Sequence, residues 1–249
     1  MTFSPNDISP LFCAPCVLSA LCADPRRPMI QKRPLPIIVA IDGTSASGKS
    51  TNARRIAREL GFVYVDTGAM YRTLAWYCLK NKIDVHDSKA VAAVLKKWKT
   101  ELKSIDNQVR LLVDGYYPEK EVRTSETSAA VAHIAAIPKV REWMKVAQRD
   151  CAKFGNLVME GRDIGSHIFP ETEFKFYLDA NLEERSKRRA ADGVREDLAA
   201  RDQRDSQRAA APLGIALGAI VINNSGQTPE ETSGIIIKHV KTKLAAGGA

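Results

Sequence analysis

Residues 43–51 read GTSASGKST and match the pattern G-x-x-x-x-G-K-[ST] without a mismatch. The preceding residues 36–41 (PIIVAI) are a short, unbroken apolar run, which is typical of a strand buried on both faces of a parallel sheet. Residues 53–60 have a helical composition and are followed by Gly61, a suitable helix C-cap. This order of strand, loop and helix is the context that a phosphate-binding loop requires, and it predicts an α/β fold.

Each residue type in this loop suits the binding of a nucleotide's phosphates. Gly43 and Gly48 let the chain turn with backbone N–H groups pointing inward, and the following helix N-terminus adds partial positive charge. Lys49 brings an ammonium group to the outer phosphates, and Ser50 places a hydroxyl where Mg²⁺ would sit. We therefore expect ATP or GTP to be bound by Gly43, Thr44, Ser45, Ala46, Ser47, Gly48, Lys49, Ser50 and Thr51.

The composition limits the class of protein. The chain has 249 residues, of which 45% are hydrophobic and 27% charged, so it can bury the core of one large domain or two small ones. Lys and Arg number 37 against 29 Asp and Glu, and this net charge of +8 favours an anionic partner. Aromatic residues are only 6%, which argues against a stacking surface for single-stranded nucleic acid. No apolar stretch approaches the roughly 20 residues that span a bilayer, so a membrane-spanning protein is excluded.

The first 34 residues differ from the rest of the chain, since they contain six prolines and no helical or strand period. We expect a flexible extension outside the core fold. Cys13 and Cys16 form a C-x-x-C, but no second Cys or His pair follows at a metal-ligand spacing, so zinc or redox chemistry is the weaker interpretation. No Lys or Arg precedes the apolar residues 11–23, which argues against a signal peptide, and Met29 is an alternative start. The odd number of cysteines does not suit a secreted disulfide framework and favours the cytoplasm.

The phosphate-binding loop occurs in switch GTPases, in motor ATPases and in small kinases. Residues 81–84 read NKID, the letters of a guanine-reading motif, but they lie early in the chain at the tail of a helical stretch. Motors and helicases use several hundred residues, whereas about 200 remain here after the extension. The length therefore favours a small phosphotransferase.

Residues 66–72 (DTGAMYR) predict a second anion site. They follow a short strand, and a helix is expected to start near Ala69 with Thr67 as its cap. A helix N-terminus attracts anions, and Arg72 lies about one turn further along the helix. An ordinary capped helix with a surface arginine is the alternative.

Further charged clusters lie in the second half of the chain. Residues 157–160 (LVME) predict a buried strand that delivers residues 160–165 (EGRDIG) to its carboxyl end, where ligands bind in open α/β sheets. Residues 174–178 and 219–222 predict two more strands, and a final helix is expected from about residue 230 to 244. Two sets of charged residues each share one helical face, with salt-bridged exposed helices as the alternative: Arg185, Arg188 and Arg189, and then Arg201, Asp205 and Arg208.

An insertion separates the second and third of these parallel strands. Residues 98–104 and 109–113 alternate roughly with period two around Asp106 and Asn107, which predicts a hairpin. A helix with an apolar core stripe follows, because spacings of three and four residues separate Ile137, Val140, Met144, Ala147 and Cys151. We expect the insertion to form a small mobile lobe.

The blocks GTSASGKST, DTGAMYR, EGRDIG, LDANLEERSKRR and RDQRDSQR together resemble the bacterial cytidylate kinases, in the same order over about residues 36–245. The resemblance implies a three-layer P-loop α/β fold with a five-stranded parallel sheet, a nucleotide-binding insertion and a short lid. It also implies one kinase domain over residues 35–249, with a core at 35–83, 136–184 and 209–249, the insertion at 84–135 and the lid at 185–208.

The implied reaction moves the γ-phosphoryl group of ATP to CMP or dCMP with the help of Mg²⁺. We expect a monomeric cytoplasmic enzyme whose partners are these small molecules, with neither nucleic acid nor a membrane among them. Another small P-loop kinase, acting on UMP or on a non-nucleotide acceptor such as shikimate, is the alternative. The resemblance assigns acceptor contacts to Thr67, Arg72, Arg141, Glu160, Arg162, Asp163, Arg201, Asp205 and Arg208, and catalytic roles to Lys49, Arg162, Arg185, Arg188 and Arg189.

Two residues depart from the pattern of that family. Glu160 stands where the family commonly has Asp, and Ala132 stands where a Ser often contacts the base, six residues before Pro138. Loss of that hydroxyl removes one hydrogen bond, worth about 0.5–1.5 kcal/mol. We therefore expect looser discrimination of cytosine from uracil.

Overall fold

The computed structural model describes residues 36–191, 197–208 and 211–247. The expectations for residues 1–34 lie outside these ranges. The strands are β1 (Ile38–Gly43), β2 (Val63–Asp66), β3 (Thr100–Ile105), β4 (Gln108–Val113), β5 (Leu157–Glu160), β6 (Phe174–Asp179) and β7 (Ile220–Asn223). The helices are α1 (Lys49–Leu60), α2 (Thr67–Lys80), α3 (Ser88–Val94), α4 (Ser125–Ile134), α5 (Pro138–Asp150), α6 (Leu182–Ala191), α7 (Leu198–Ser206) and α8 (Pro229–Gly247).

The strands form one sheet in the order β3-β4-β2-β5-β1-β6-β7. The predicted five-stranded parallel sheet is present as β2-β5-β1-β6-β7, but the predicted hairpin continues it, so the described sheet has seven strands. The join is a parallel pairing of β2 with β4, in which Tyr64 lies opposite Gln108 and Val65 opposite Val109. Asp106 and Asn107 both have positive φ, 52° and 58°, as a tight turn between antiparallel strands requires.

Helices cover both faces of the sheet and make three layers. Along β1 the side chains alternate between two cores, as the two-residue period of a strand dictates. Ile38 and Ala40 belong to the core that contains Leu74 of α2, together with other residues of α2, α4 and α5. Val39 and Ile41 belong to the core that α1 and α8 cover. The three-layer prediction is confirmed.

The parallel strands carry their loops to one edge. The phosphate-binding loop follows β1, Asp66 ends β2, Glu160 ends β5 and Asp179 ends β6. Parallel strands present their carboxyl ends together, so side chains far apart in sequence meet at this edge. No helix within the described ranges is both long enough and apolar enough to cross a membrane.

Candidate active site

A cavity of about 880 Å³ opens at this carboxyl edge of the sheet. It brings together residues from the five blocks GTSASGKST, DTGAMYR, EGRDIG, LDANLEERSKRR and RDQRDSQR. The predicted residues that line it are Ser45, Ala46, Gly48, Lys49, Ser50, Thr51, Thr67, Arg72, Arg141, Glu160, Arg162, Asp163, Arg188, Arg189, Arg201, Asp205 and Arg208. Gly43, Thr44, Ser47 and Arg185 are not among its lining residues.

The backbone of the phosphate-binding loop depends on two glycines. Gly43 has φ 148°, and a Cβ there would lie 2.0 Å from the carbonyl oxygen of Leu178 on β6. Gly48, at the N-cap of α1, has φ 84° in the left-handed region that favours glycine. The loop can therefore approach β6 closely and turn directly into the N-terminus of α1.

Lys49 is the first residue of α1 and is buried. Its Nζ donates to the carbonyl oxygen of Thr44 and, at 3.3 Å, to the hydroxyl of Ser47. Burial, and then the neighbouring charges of Arg162 and Arg201, hold the pKa of Lys49 well below its usual range. A phosphate in the loop would supply the negative charge that this buried ammonium lacks.

Side chains from three other elements hold the loop in place. Thr44 donates its hydroxyl to Oδ1 of Asp179 at 3.0 Å, and the backbone N–H of Ser45 donates to Oδ1 of Asp202 at 3.0 Å. Asn224, just beyond β7, donates its amide to the carbonyl oxygen of Ser47 at 2.9 Å. The loop is thus tied to the ends of β6 and β7 and to α7.

Arg185 belongs to this support and not to the cavity wall. Its guanidinium is buried and donates to the carbonyl oxygen of Ser45 at 3.1 Å and to the carboxylate of Asp202. The expectation that Arg185 reaches ATP as a lid arginine therefore has no support in its position. Arg188 and Arg189 do line the cavity, and Arg188 also donates to the side-chain oxygen of Asn224 at 3.1 Å.

Glu160 provides a carboxylate beside the phosphate-binding loop. Ser50 donates its hydroxyl to Oε2 of Glu160 at 2.9 Å, and the hydroxyl of Tyr64 donates to Oε1. Burial and the nearby Asp66 raise the pKa of Glu160. A hydroxyl and a carboxylate next to bound phosphates are the oxygen donors that Mg²⁺ takes, so Ser50 and Glu160 fit this ion.

Three ion pairs connect α5, the turn after β5 and the segment around α7 within the cavity. Arg141 of α5 pairs with Asp163, and Arg162 donates from Nε to Oδ2 of Asp205 at 2.9 Å. Arg208 donates to the other oxygen of Asp205. Burial alone would raise the pKa of Asp205, but Arg162 and Arg208 hold it below its usual range. The loop after β5 and helix α7 therefore meet through fully charged groups.

The prediction that Thr67 caps α2 is wrong. Asp66 is the N-cap, because its carboxylate accepts from the backbone N–H of Ala69 at 2.8 Å. Thr67 instead donates its hydroxyl to the carbonyl oxygen of Glu160 at 2.7 Å. Asp66 also pairs with Arg72 at 2.9 Å, so this carboxylate holds the arginine at the start of the helix.

Several cavity residues were not expected from the sequence. Among them are Arg54 of α1, Arg123 just before α4, and Ser128 of α4. Ala132, where the resemblance led us to look for the missing hydroxyl, is not a lining residue, whereas Ser128, one helical turn earlier, is. Isolated arginines and serines in a helical stretch carry no pattern that marks them, so only their position in the fold brings them out.

One cavity thus combines a phosphate-binding loop with a second cluster of charged residues. This arrangement on a parallel α/β sheet defines a P-loop kinase, which must bring two anionic substrates together. A family model described as cytidylate kinase matches residues 39–242. The chain belongs to the cytidylate kinase family, as the resemblance of its motifs predicted.

Three curated relatives extend this match over most of the chain. A cytidylate kinase of Geobacillus sp. (strain WCH70) is 40% identical over 219 residues, which cover 84% of this chain and 98% of the relative. One of Anoxybacillus flavithermus (strain DSM 21510 / WK1) is 41% identical over 206 residues, covering 78% and 92%. One of Shouchella clausii (strain KSM-K16) is 38% identical over 214 residues, covering 82% and 95%.

Proposed function

We propose that this protein transfers the γ-phosphoryl group of ATP to CMP, and also to dCMP, with Mg²⁺ as the accompanying ion. The observation that carries the proposal is the position of Arg162 between the two halves of the cavity. Its NH1 donates to the carbonyl oxygen of Gly43 at 2.9 Å, at the start of the donor loop, while its Nε holds Asp205. A cation at that point lies between a donor phosphate and an acceptor phosphate.

The donor side consists of the loop from Gly43 to Thr51, with Lys49 beneath the outer phosphates and Arg188 and Arg189 facing them from α6. Ser50 and Glu160 would hold Mg²⁺. When bound, this ion supplies positive charge to the oxygens of the donor phosphates. The hydrogen bond between Ser50 and Glu160 places both oxygens on one side of the loop, ready to bind a cation in place of that bond.

The acceptor side consists of the arginines on the far wall. Arg72, Arg162 and Arg208 carry the charge that an acceptor phosphate requires, and the pair Arg141 and Asp163 lies next to α4, where Arg141 approaches the carbonyl oxygen of Ala135 at 3.4 Å. Val131 and Ala135 add an apolar wall beside that pair. A charged pair against an apolar wall suits a flat base with polar edges.

The reaction does not require a general base from the protein. A phosphate monoester has a second pKa near 6, so the acceptor is mostly dianionic at pH 7 and is already a nucleophile. The protein's task is to hold two anions in line, to compensate the charge of the transferring group and to exclude water. Lysine and arginine side chains supply that compensation here, which accounts for their number in the cavity.

The test is ADP formation from Mg-ATP with CMP, dCMP, UMP, AMP and shikimate offered one at a time. We expect strong turnover with CMP and dCMP and little with AMP and shikimate. Preferred turnover of UMP or of shikimate would assign the chain to the alternative class of small P-loop kinase. Absence of turnover with all five would overturn the proposed reaction.

A further inference from the structure

Asp42 is a buried carboxylate that the proposed mechanism does not use. It lies next to the last residue of β1 and is only 3% exposed. Its two oxygens accept two consecutive backbone N–H groups: Ile164 donates to Oδ1 and Gly165 to Oδ2, each at 2.8 Å. These donors lie 122 and 123 residues further along the chain, in the turn that follows β5.

That turn carries the acceptor-side residues. Arg162 and Asp163 come directly before Ile164, so the two bonds to Asp42 fix the backbone on which both side chains are mounted. The same turn is also bound to the residues on either side of Asp42. The N–H of Gly161 donates to the carbonyl oxygen of Ile41 at 3.0 Å, and Arg162 donates to that of Gly43 at 2.9 Å.

The end of β1 is therefore a junction between the two halves of the cavity. Gly43, which follows Asp42, begins the donor loop, and the side chain of Asp42 holds the acceptor turn. Only a carboxylate suits this position among residues of its size, because both oxygens accept, whereas an asparagine amide has a single acceptor oxygen. Burial outweighs the two N–H groups, which act in the opposite direction, and raises the pKa of Asp42 to about 6.

We propose that Asp42 is a positioning residue that sets the acceptor turn, and with it Arg162 and Asp163, against the donor loop. The inference rests on the proposed function, since it assigns Asp42 to the orientation of the CMP-binding residues. Asp42 is not among the residues that line the cavity, and it acts through the backbone of Ile164 and Gly165.

The test is the variant Asp42→Asn, compared with wild type in steady-state kinetics for both substrates. The variant keeps the shape of the side chain but presents an N–H group where one of the two donors needs an acceptor. We expect KM for CMP to rise about tenfold, with a change of less than about twofold in KM for ATP. If Asp42 only stabilised the fold, the variant would have a lower melting temperature but the same ratio of KM for CMP to KM for ATP.

Asp179→Asn is the matched control. Asp179 is the last residue of the neighbouring parallel strand β6, and its carboxylate accepts from Thr44 in the donor loop. We expect this variant to change KM for ATP more than KM for CMP. Equal changes in both constants for Asp42→Asn, or an unchanged KM for CMP in the folded variant, would overturn the proposal.

Amide hydrogen exchange of the wild-type protein tests the same contact without a variant. The N–H groups of Ile164 and Gly165 should exchange as slowly as those of β1 and β5 in the absence of substrate. Rapid exchange of both in the folded protein would refute the positioning role even if Asp42→Asn does not fold. The exchange measurement does not depend on CMP turnover, so failure of the proposed reaction and failure of this inference give different results.

Discussion

Arg162 donates from Nε to Oδ2 of Asp205 at a distance of 2.9 Å, although the two residues are 43 positions apart in the sequence. Asp205 is 6% exposed at its side chain and also binds Arg208, so one buried carboxylate orients two arginines. Helix α7 and the turn after β5 are thereby joined at the acceptor side of the cavity.

Arg162→Ala should affect CMP more than ATP. The substitution removes a charged hydrogen-bond donor that faces the acceptor phosphate, and such bonds are worth about 1.5–3 kcal/mol. We expect KM for CMP to rise at least about tenfold, with a smaller change for ATP. Arg55→Ala is the control, since Arg55 pairs at 2.6 Å with Glu230 and is not a cavity residue. Equal effects on the two substrates would show that Arg162 does not act chiefly on the acceptor phosphate.

Lys49→Ala should abolish most of the turnover without unfolding the protein. A preorganised cation at the transferring phosphoryl group is worth roughly 100-fold or more in kcat. Circular dichroism should show an intact fold, because the hydrogen bonds of the buried ammonium go to Thr44 and Ser47 of its own loop. Lys187→Ala, an exposed i,i+4 partner of Glu183 on α6, serves as the control with normal activity. Near-normal kcat in Lys49→Ala would contradict the assigned role.

Ser128 and Ala132 give opposite expectations for base selectivity. Ser128 lines the cavity and Ala132 does not, so Ser128→Ala should lower the ratio of kcat/KM for CMP to that for UMP by about two- to tenfold, as the loss of one hydrogen bond implies. Ala132→Ser should leave that ratio within about twofold of wild type. The reverse pattern would show that the base-reading hydroxyl belongs at position 132, as the family resemblance implies.

Glu160→Gln should weaken the binding of Mg²⁺. The amide keeps the length of the side chain but removes the negative charge beside Ser50. We expect the Mg²⁺ concentration for half-maximal rate to rise about tenfold or more, because carboxylate charge dominates the affinity for this ion. Glu160→Asp, which restores the residue common in the family, should stay closer to wild type. An unchanged Mg²⁺ requirement in Glu160→Gln would separate this carboxylate from the metal.

The titration of Asp42 should also make the free energy of unfolding depend on pH. Burial raises the pKa of this group from 3.8 to about 6, so the folded protein holds the proton more tightly than the unfolded chain does. Its contribution to the free energy of unfolding therefore falls as the pH rises from about 4 to about 6. Asparagine does not titrate.

Relative to Asp42→Asn, the wild-type protein should lose about 2–3 kcal/mol of unfolding free energy between about pH 4 and pH 7. Urea unfolding of both proteins at the two pH values measures the difference. A gap between the two proteins that does not vary with pH would show that folding does not raise the pKa of Asp42.

The sequence alone was sufficient for elements that local pattern determines. The predicted bounds of β5 agree with the structure residue for residue, because three apolar residues and Glu160 stand between Asn156 and Gly161. The phosphate-binding loop was found with its strand and helix because glycine, lysine and serine at those spacings have few other uses. Helix α5 followed from the spacing of Val140 and Met144, both fully buried in the structure.

Only the tertiary structure decided which distant groups meet. The hairpin was predicted, but its attachment to β2 depends on backbone hydrogen bonds between strands some forty residues apart, which no local pattern records. Arg185 had the same helical spacing as Arg188 and Arg189, yet it turns inward to Asp202. Asp42 lies between the predicted strand and the phosphate-binding loop and belongs to no motif, and only the fold brings it to Ile164 and Gly165. Periodicity and loop motifs act between neighbours in the chain, whereas the partner of a buried charge is set by how whole elements pack.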